Sequence, residues 1–269
     1  MITSTSNEKI KLVRALQDKR RVREAEQLFV VEGVRLVEEA LLARAPIKLV
    51  LHTDDLDPRS QAALSELIRL NVPIETVTPK VMAAASDTQT PQGLLAITTL
   101  PSSFISHPSS FSFVLILDHL SDPGNLGTIL RTADAAGVET VFLAPGTVDA
   151  YNPKVVRAAM GAHFHVPIVE ASWESLADRL AGLEIWLAEA RAGEAYHKVD
   201  WRKPCALVIG SEAKGPSEAA RRFAHRQVHI PMPGQAESLN AAVAAGILLF
   251  EAAKQRSRRS RMPRTASRE

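Results

Sequence analysis

The sequence predicts an α/β protein of two domains, the larger one built on a mainly parallel sheet. Three observations carry this expectation. Short apolar runs of strand length alternate with longer amphipathic runs of helical period along almost the whole chain. The alternation stops once, at the serine- and proline-rich stretch beginning at Pro101, which reads as a linker over 101–112. The length of 269 residues exceeds what one small core needs and suits two modest ones.

The elements follow in order. Asn7 to Glu26 places Ile10, Val13, Leu16 and Val22 at helical spacing, predicting one helix. Its other positions carry Lys9, Lys11, Arg14, Lys19, Arg20, Arg21 and Arg23 against only Glu8, Asp18, Glu24 and Glu26. That excess suits either a solvated face or contact with phosphates. Strands are expected at Phe29–Val31, Ile47–Leu51 and Leu94–Thr98, with helices at Arg35–Ala43, Ser60–Leu70 and Pro79–Ala85, closing a domain over 1–100.

After the linker, strands are expected at Phe113–Asp118, Glu139–Leu143, Ile185–Glu189, Ala206–Gly210 and Gln227–Ile230. Helices separate them at Leu126–Ala136, Pro153–Met160, Trp173–Leu180 and Leu239–Lys254, giving a second domain over 113–255. Apolar strands alternating with helices imply a parallel sheet covered on both faces. In the last helix Val243, Ile247 and Phe250 share one stripe and are expected to pack inward. The tail 256–269 carries Arg256, Arg258, Arg259, Arg261, Arg264 and Arg268 among polar residues and reads as disordered.

Composition narrows the class. The formal net charge is only +2, so any nucleic-acid footprint must arise from local clustering. The single cysteine, Cys205, excludes an intrachain disulfide and opens an apolar run, as a buried strand thiol would. No apolar stretch approaches the roughly 20 residues of a spanning helix, and the N-terminus lacks a signal-peptide pattern. The expected location is therefore cytoplasmic, without a membrane partner. His163 and His165 flank Phe164 without cysteine or carboxylate partners, a poor metal set, so they read as strand-edge histidines and no metal is expected.

Three segments carry chemistry. In the first, a strand ending at Asp118 runs through Pro123 and Gly124 into a helix near Asn125, with Gly127 and Arg131 following. A helix start suits an anion, but the glycines lack the Gly-x-Gly-x-x-Gly spacing of a dinucleotide loop. In the second, the strand ending at Ile209 enters Gly210, Ser211 and Glu212, with Gly215 and Pro216 beyond. Such a tight loop at the carboxyl end of a parallel strand is where open α/β sheets bind ligands. In the third, Ile230, Pro231 and Met232 lead through a Pro/Gly loop to Ser238, Leu239 and Asn240 and an alanine-rich helix. Taken alone, Glu212 suits a cap or a salt bridge, and Ser238 and Asn240 suit capping.

Together these segments resemble the three signature motifs of the SpoU (TrmH-like) branch of the SPOUT RNA methyltransferases. Asn125, Gly127 and Arg131 match the first motif. Gly210, Ser211, Glu212 and Gly215 match the second, and Ile230, Pro231, Met232, Ser238, Leu239 and Asn240 the third. Lys154–Ala162 resembles the segment between the first two. Phe29–Val37 and Thr90–Ala96 resemble the family's L30e-like substrate-binding domain, and the whole is closest in look to bacterial ribosomal RNA guanosine 2′-O-methyltransferases. Pro216 departs from the aliphatic residue usual there and is expected to alter the stiffness of its loop.

The resemblance implies a deep trefoil knot in the catalytic domain, otherwise nearly absent from proteins, and a homodimer with the active site at its interface. It implies S-adenosylmethionine as cofactor, held by Gly210, Ser211, Ile230, Met232, Ser238 and Leu239. The implied reaction is attack of an RNA ribose 2′-oxygen on the cofactor's methyl group, with ribosomal RNA as the main expectation and transfer RNA the alternative. Arg131, Asn125, Glu212, Ser238 and Asn240 form the implied catalytic set. A guanidinium is a poor general base in water, so Arg131 acts either by desolvation beside the sulfonium or by binding the adjacent phosphate. Lys9, Lys11, Arg14, Arg20, Arg21 and Arg35, with Arg157, are the expected RNA contacts. A silent RNA-binding protein of this fold, a base-methylating relative and a nicotinamide dehydrogenase are the competing classes.

Overall fold

A computed structural model describes residues 1–101, 111–211 and 215–260, without the side chains of 258–260. These residues form two compact units. One is the described part of Met1–Phe104 together with Asp149–His165; the other is the described part of Ile105–Val148 together with Val166–Glu269.

The first unit begins with α1 (Glu8–Asp18) and α2 (Arg20–Glu26). There follow β1 (Leu28–Glu32), α3 (Val34–Leu42), β2 (Ile47–His52), α4 (Pro58–Arg69), β3 (Ile74–Thr76), α5 (Pro79–Ala85) and β4 (Leu94–Thr99). The sheet order is β1-β4-β2-β3, with β4 antiparallel to both β1 and β2. Strand residues alternate between two cores, as a period of two requires. Val30, Leu49, Leu51, Leu95 and Ile97 meet Ile10, Val13 and Leu16 of α1 and Val81 and Met82 of α5. Phe29, Val31, Val50, Leu94 and Ala96 meet Leu36 and Val37 of α3 and Leu67 of α4.

The single helix expected over Asn7–Glu26 is two helices. Lys19 breaks it with extended backbone, φ −123° and ψ 109°. The reversal lets Arg23 turn back, and its Nη1 donates to the carbonyls of Leu16 and Gln17 at the end of α1. A cation there satisfies carbonyls that have no partner within the helix. Arg23 is buried and pairs with Asp149, so it is a structural residue, not part of the solvated basic face.

The second unit holds β5 (Phe113–Leu117), α6 (Pro123–Ala135) and β6 (Thr140–Leu143). The helix α7 (Pro153–Ala159) comes next in the chain but belongs to the first unit. Then follow β7 (Ile168–Glu170), α8 (Trp173–Arg179), β8 (Glu184–Glu189), β9 (Glu194–Ala195), β10 (Cys205–Ile209), α9 (Glu218–Phe223), β11 (Arg226–His229) and α10 (Ala241–Ser260). The seven strands lie in the order β7-β6-β5-β10-β8-β11-β9, and every described pairing is parallel. From β5 the chain adds β6 and β7 on one side and β8 on the other. Strand β10 then enters between β5 and β8, so C-terminal strands interleave with earlier ones. Val114, Ile116, Ala206 and Val208 pack with Leu176 of α8 and Ala220 of α9. The alternate residues Leu115, Leu117, Leu207 and Ile209 are equally buried, so both sheet faces are covered. Full burial of a large apolar side chain contributes about 1.5–3 kcal/mol.

Asp149–His165 departs from the expected domain boundary at 113. Val156, Tyr151 and Phe164 join the core around Phe29 and Val31, and Arg157 pairs with Asp87 at 2.7 Å. His163 lies in a 3-10 turn, not at a strand edge; it is buried and bonded at 2.7 Å to the carbonyl of Ala150. His165 faces Glu39 at 3.6 Å.

The strands β3, β7 and β9 and the helix α9 were not anticipated, being two to six residues long. Helix α10 continues through Ser260, past the expected end at Lys254 and into the supposed tail. Arg256 explains the extension. Its guanidinium lies 4.7 Å from the centroid of Phe113 and donates to the Ser112 hydroxyl at 2.7 Å and the Lys203 carbonyl at 2.7 Å. Two residues of the stripe expected to pack inward face outward, Val243 at 51 % and Phe250 at 53 % exposed; Ile247 is half-buried, and Leu248, Leu249 and Ala252 supply the buried face. Most of the linker, 102–110, and the end of the tail, 261–269, lie outside the described residues. Among those described, no helix is long and apolar enough to cross a membrane, and no group of three His, Cys, Asp or Glu could hold a metal.

Candidate active site

All strands of the larger sheet point the same way, so the loops leaving β5, β8, β10 and β11 gather at one edge. Strand order reverses beside β5, and the crevice outside the carboxyl ends of strands at such a point is the preferred ligand site of open α/β sheets. A cavity of about 230 Å³ lies there. Gly210, Ser211, Ile230, Met232, Ser238 and Leu239, the six residues expected to hold the cofactor, all line it. Glu189 at the end of β8, Pro216, and Ala241, Ala244 and Leu248 of α10 also line it.

The loop after β10 owes its shape to one glycine. A Cβ on Gly210 would stand 2.6 Å from both N and Cα of Pro216, closer than any side chain tolerates. Pro216, singled out for its stiffness, thus closes directly on Gly210. Ser211 and Gly215 form a one-pair antiparallel bridge, with Gly215 at φ +66°. Glu212, between them, lies outside the described residues. The far end of the loop is tied down by Asp118, which is fully buried at the end of β5. Its carboxylate accepts from Ser217 N at 2.6 Å, Ser217 Oγ at 3.1 Å and His119 Nδ1 at 3.0 Å. Ser217 in turn caps α9 by accepting from Ala220 N.

Two other expected residues meet directly. Asn240 Nδ2 donates to Asn125 Oδ1 at 2.9 Å, joining the start of α10 to the start of α6. The other end of the Asn240 amide accepts from Ala242 N at 2.9 Å and Val243 N at 3.2 Å, so the residue also caps α10. Asp122 caps α6 through Asn125 N at 2.7 Å. Ser238 stands on the cavity wall two residues before Asn240. Arg131 is exposed on α6 and does not line the cavity of its own chain.

The basic residues divide. Lys9 pairs with Glu75, Lys11 with Glu8, Arg20 with Glu24 and Arg157 with Asp87. Arg14, Arg21 and Arg35 are exposed and make no side-chain hydrogen bond among the described residues. Sequence reasoning missed Asp118, Ser217 and Glu189, which pairs with Arg221. The available signal was position: Asp118 and Glu189 each follow an apolar run at a strand's carboxyl end.

Comparison with known proteins decides what kind of site this is. A family model described as the SpoU rRNA Methylase family matches residues 112–250, more than half of the chain. The chain belongs to the SpoU rRNA methylase family. A second model, the MRM3-like substrate binding domain, matches residues 7–96. The chain is 35% identical to the 23S rRNA (guanosine(2553)-2'-O)-methyltransferase RlmP of Bacillus subtilis, over 93% of this chain and 97% of that protein. It resembles the AdoMet-bound rRNA methyltransferase from Sinorhizobium meliloti with a TM-score of 0.82 and 32% identity, covering 97% of this chain and 98% of that one. It also resembles the SpoU methyltransferase AviRb from Streptomyces viridochromogenes in complex with AdoMet, with a TM-score of 0.82, 30% identity and coverage of 94% and 100%. The α/β fold expected from the sequence, with a parallel catalytic sheet behind a substrate-binding domain, is that of the family.

Proposed function

We propose that this SpoU protein methylates a ribose 2′-hydroxyl of ribosomal RNA and does so as a homodimer. Membership of the family makes it an enzyme, an RNA 2′-O-ribose methyltransferase that uses S-adenosylmethionine. The observation that carries the residue assignment is the cavity at the carboxyl ends of the parallel strands, lined by all six cofactor-binding candidates. Its chemistry fits that cofactor. Ala188, Ile209, Val228 and Leu248 offer apolar walls to an adenine, Glu189 offers a carboxylate to hydroxyl or cationic groups, and Gly210 lets the backbone come close.

When bound, the cofactor supplies a methyl group already activated on a sulfonium. The protein's own task is to bind, align and exclude water. Gly210, Ile230 and Leu239 would hold the nucleoside part through backbone groups, with Ser211, Met232 and Ser238 shaping the remaining wall. Asn125 and Asn240 fix the starts of α6 and α10 to each other and hence the loop that ends in Ser238. Arg131 binds the phosphate beside the reacting ribose and lowers the cost of negative charge on the 2′-oxygen. Its exposure away from its own cavity suits a site completed between two copies. Val243 and Phe250, exposed on α10 beside the half-buried Ile247, supply apolar surface for a second copy to cover. Arg14, Arg21 and Arg35 remain available for phosphate contact.

The test is transfer of labelled methyl from S-adenosylmethionine to unmodified ribosomal RNA, with transfer RNA alongside and nucleoside analysis of the product. A 2′-O-methylnucleoside from ribosomal RNA is expected. Arg131→Ala is expected to lose at least 100-fold in turnover while retaining cofactor binding; full activity in that variant removes Arg131 from the site.

A further inference from the structure

A second concavity lies in the first unit, between the loop after β2 and the loop before β4. It encloses about 520 Å³ and is lined by Thr53, Asp55, Leu56, Met82, Pro91 and Gln92, among others. Leu56 and Met82 are buried and give it an apolar floor. Some of its polar groups are uncommitted. Thr53 is 7 % exposed, yet its hydroxyl has no hydrogen-bond partner among the described residues. That hydroxyl is not sealed off, so it can still bond a ligand or solvent. Gly93 keeps that hydroxyl open: a Cβ there would stand 2.4 Å from Thr53 Oγ1. Gln92 accepts from Val34 N through Oε1 at 3.3 Å, which fixes the amide and leaves its NH₂ as a donor. Asp57 is occupied in capping α4, accepting from Arg59 N, Ser60 N and Ser60 Oγ. Asp55 has no partner among the described residues.

We propose that this groove binds an unpaired guanine of the RNA substrate. The proposal rests on the reading of the chain as an RNA-modifying enzyme. Asp55 and Asp57 both line the groove and their charge disfavours a phosphate, so the groove takes the base and not the backbone. A planar base lies against Leu56, Met82 and Pro91. A carboxylate accepts two parallel N–H bonds, and guanine alone among the bases offers adjacent N1–H and N2–H donors on its Watson–Crick edge. Guanine O6 and N7 accept from the Thr53 hydroxyl and the Gln92 amide. Adenine and cytosine turn a ring-nitrogen acceptor toward the carboxylate, and uracil brings one donor between two carbonyls. Reading unstacked bases through their Watson–Crick edges is the usual route to sequence preference on RNA.

The experiment uses the full chain and fluorescence anisotropy with labelled nine-nucleotide single-stranded RNAs. Three oligomers differ only at the central position, which is guanine, inosine or adenine in an adenine context. The guanine oligomer is expected to bind at least tenfold more tightly than the adenine one. Inosine, lacking the 2-amino group, should fall between them. Asp55→Asn should remove the preference, and Thr53→Val, of nearly equal volume, should reduce it severalfold. Both variants should bind S-adenosylmethionine as the unmodified chain does, which checks folding independently. Equal binding of the three oligomers overturns the proposal. So does a guanine preference that survives Asp55→Asn, because it then arises elsewhere, or a uniform gain in affinity for all three, which would show repulsion only. Methyl transfer to ribosomal RNA by the same preparation separates the two readings: its absence with the guanine preference intact sinks the catalytic assignment alone.

Discussion

A single buried carboxylate ties down the loop after β10, and its removal is the most direct residue-level test of the proposed site. Asp118→Ala leaves the half-buried Ser217 N–H and Oγ without their acceptor, at a cost of at most about 1–3 kcal/mol. Because Ser217 ends the loop that begins at Gly210, cofactor affinity is expected to drop at least tenfold by calorimetry; Asp118→Asn, which keeps one acceptor, should recover part of it. An affinity unchanged in the alanine variant would detach the loop from Asp118. Two further residues report on burial. Burial pushes the Cys205 thiol up to about 11, so a thiol reagent at pH 8 should label the chain only beyond its unfolding transition. Burial likewise lowers the His163 imidazole to about 4 from an ordinary 6.5, against a smaller opposing effect of its bond to Ala150. The fold favours the neutral ring. The stabilisation is therefore complete above pH 6.5 and is lost as pH falls from 6.5 toward 4, by roughly 3 kcal/mol. Urea midpoints measured across that window should decline, and His163→Phe should flatten the decline. The motif residues were legible only as a set, through their resemblance to the SpoU motifs, because each alone suits a cap or a turn. Asp118 was not, since an acid ending a strand is ordinary until the structure shows that it is buried.

Element by element, legibility followed length and periodicity. The strands β5, β8 and β10 declare themselves as apolar runs because both faces are buried. Strand β9, two residues long, has no periodicity to read. The missed break at Lys19 has a different cause: a helical pattern continues through it, and only the tertiary bonds of Arg23 to the α1 carbonyls and to Asp149 favour two helices over one. The C-terminus of α10 shows the same tertiary control. Its arginine-rich composition predicts a disordered tail, yet Arg256 binds Ser112 and Lys203 and stacks on Phe113. Hydrogen bonds from a charged donor contribute about 1.5–3 kcal/mol. Truncation after Gln255 is therefore expected to lower the stability of the second unit by that order. Truncation after Ser260 removes none of these contacts and should leave thermal unfolding unchanged. Equal melting temperatures for the two truncations would return Arg256 to the tail.

At the scale of the whole molecule, one helix bears on the proposed homodimer. Its inner face is spoken for: Ala245, Leu248, Leu249 and Ala252 are buried within the unit, and Asn240 ties its start to α6. The stripe Val243, Ile247 and Phe250 has the spacing of a packed face, and composition alone assigns it to the core. Yet Val243 and Phe250 are more than half exposed, which is costly for a chain with so few aromatic residues to spare. A helix apolar on two faces is buried on two sides, and a twofold-related copy buries the same stripe twice. Phe250→Glu places a charge on that face without touching the cavity at the strand ends, whose α10 residues are Ala241, Ala244 and Leu248. Sedimentation equilibrium is expected to show a dimer for the unmodified chain and a monomer for the variant. If Arg131 serves a site completed by the second copy, methyl transfer should fall together with dimerisation while the fold persists by circular dichroism. A monomeric variant with full turnover would confine the active site to one chain, and a variant still dimeric would place the interface on another surface.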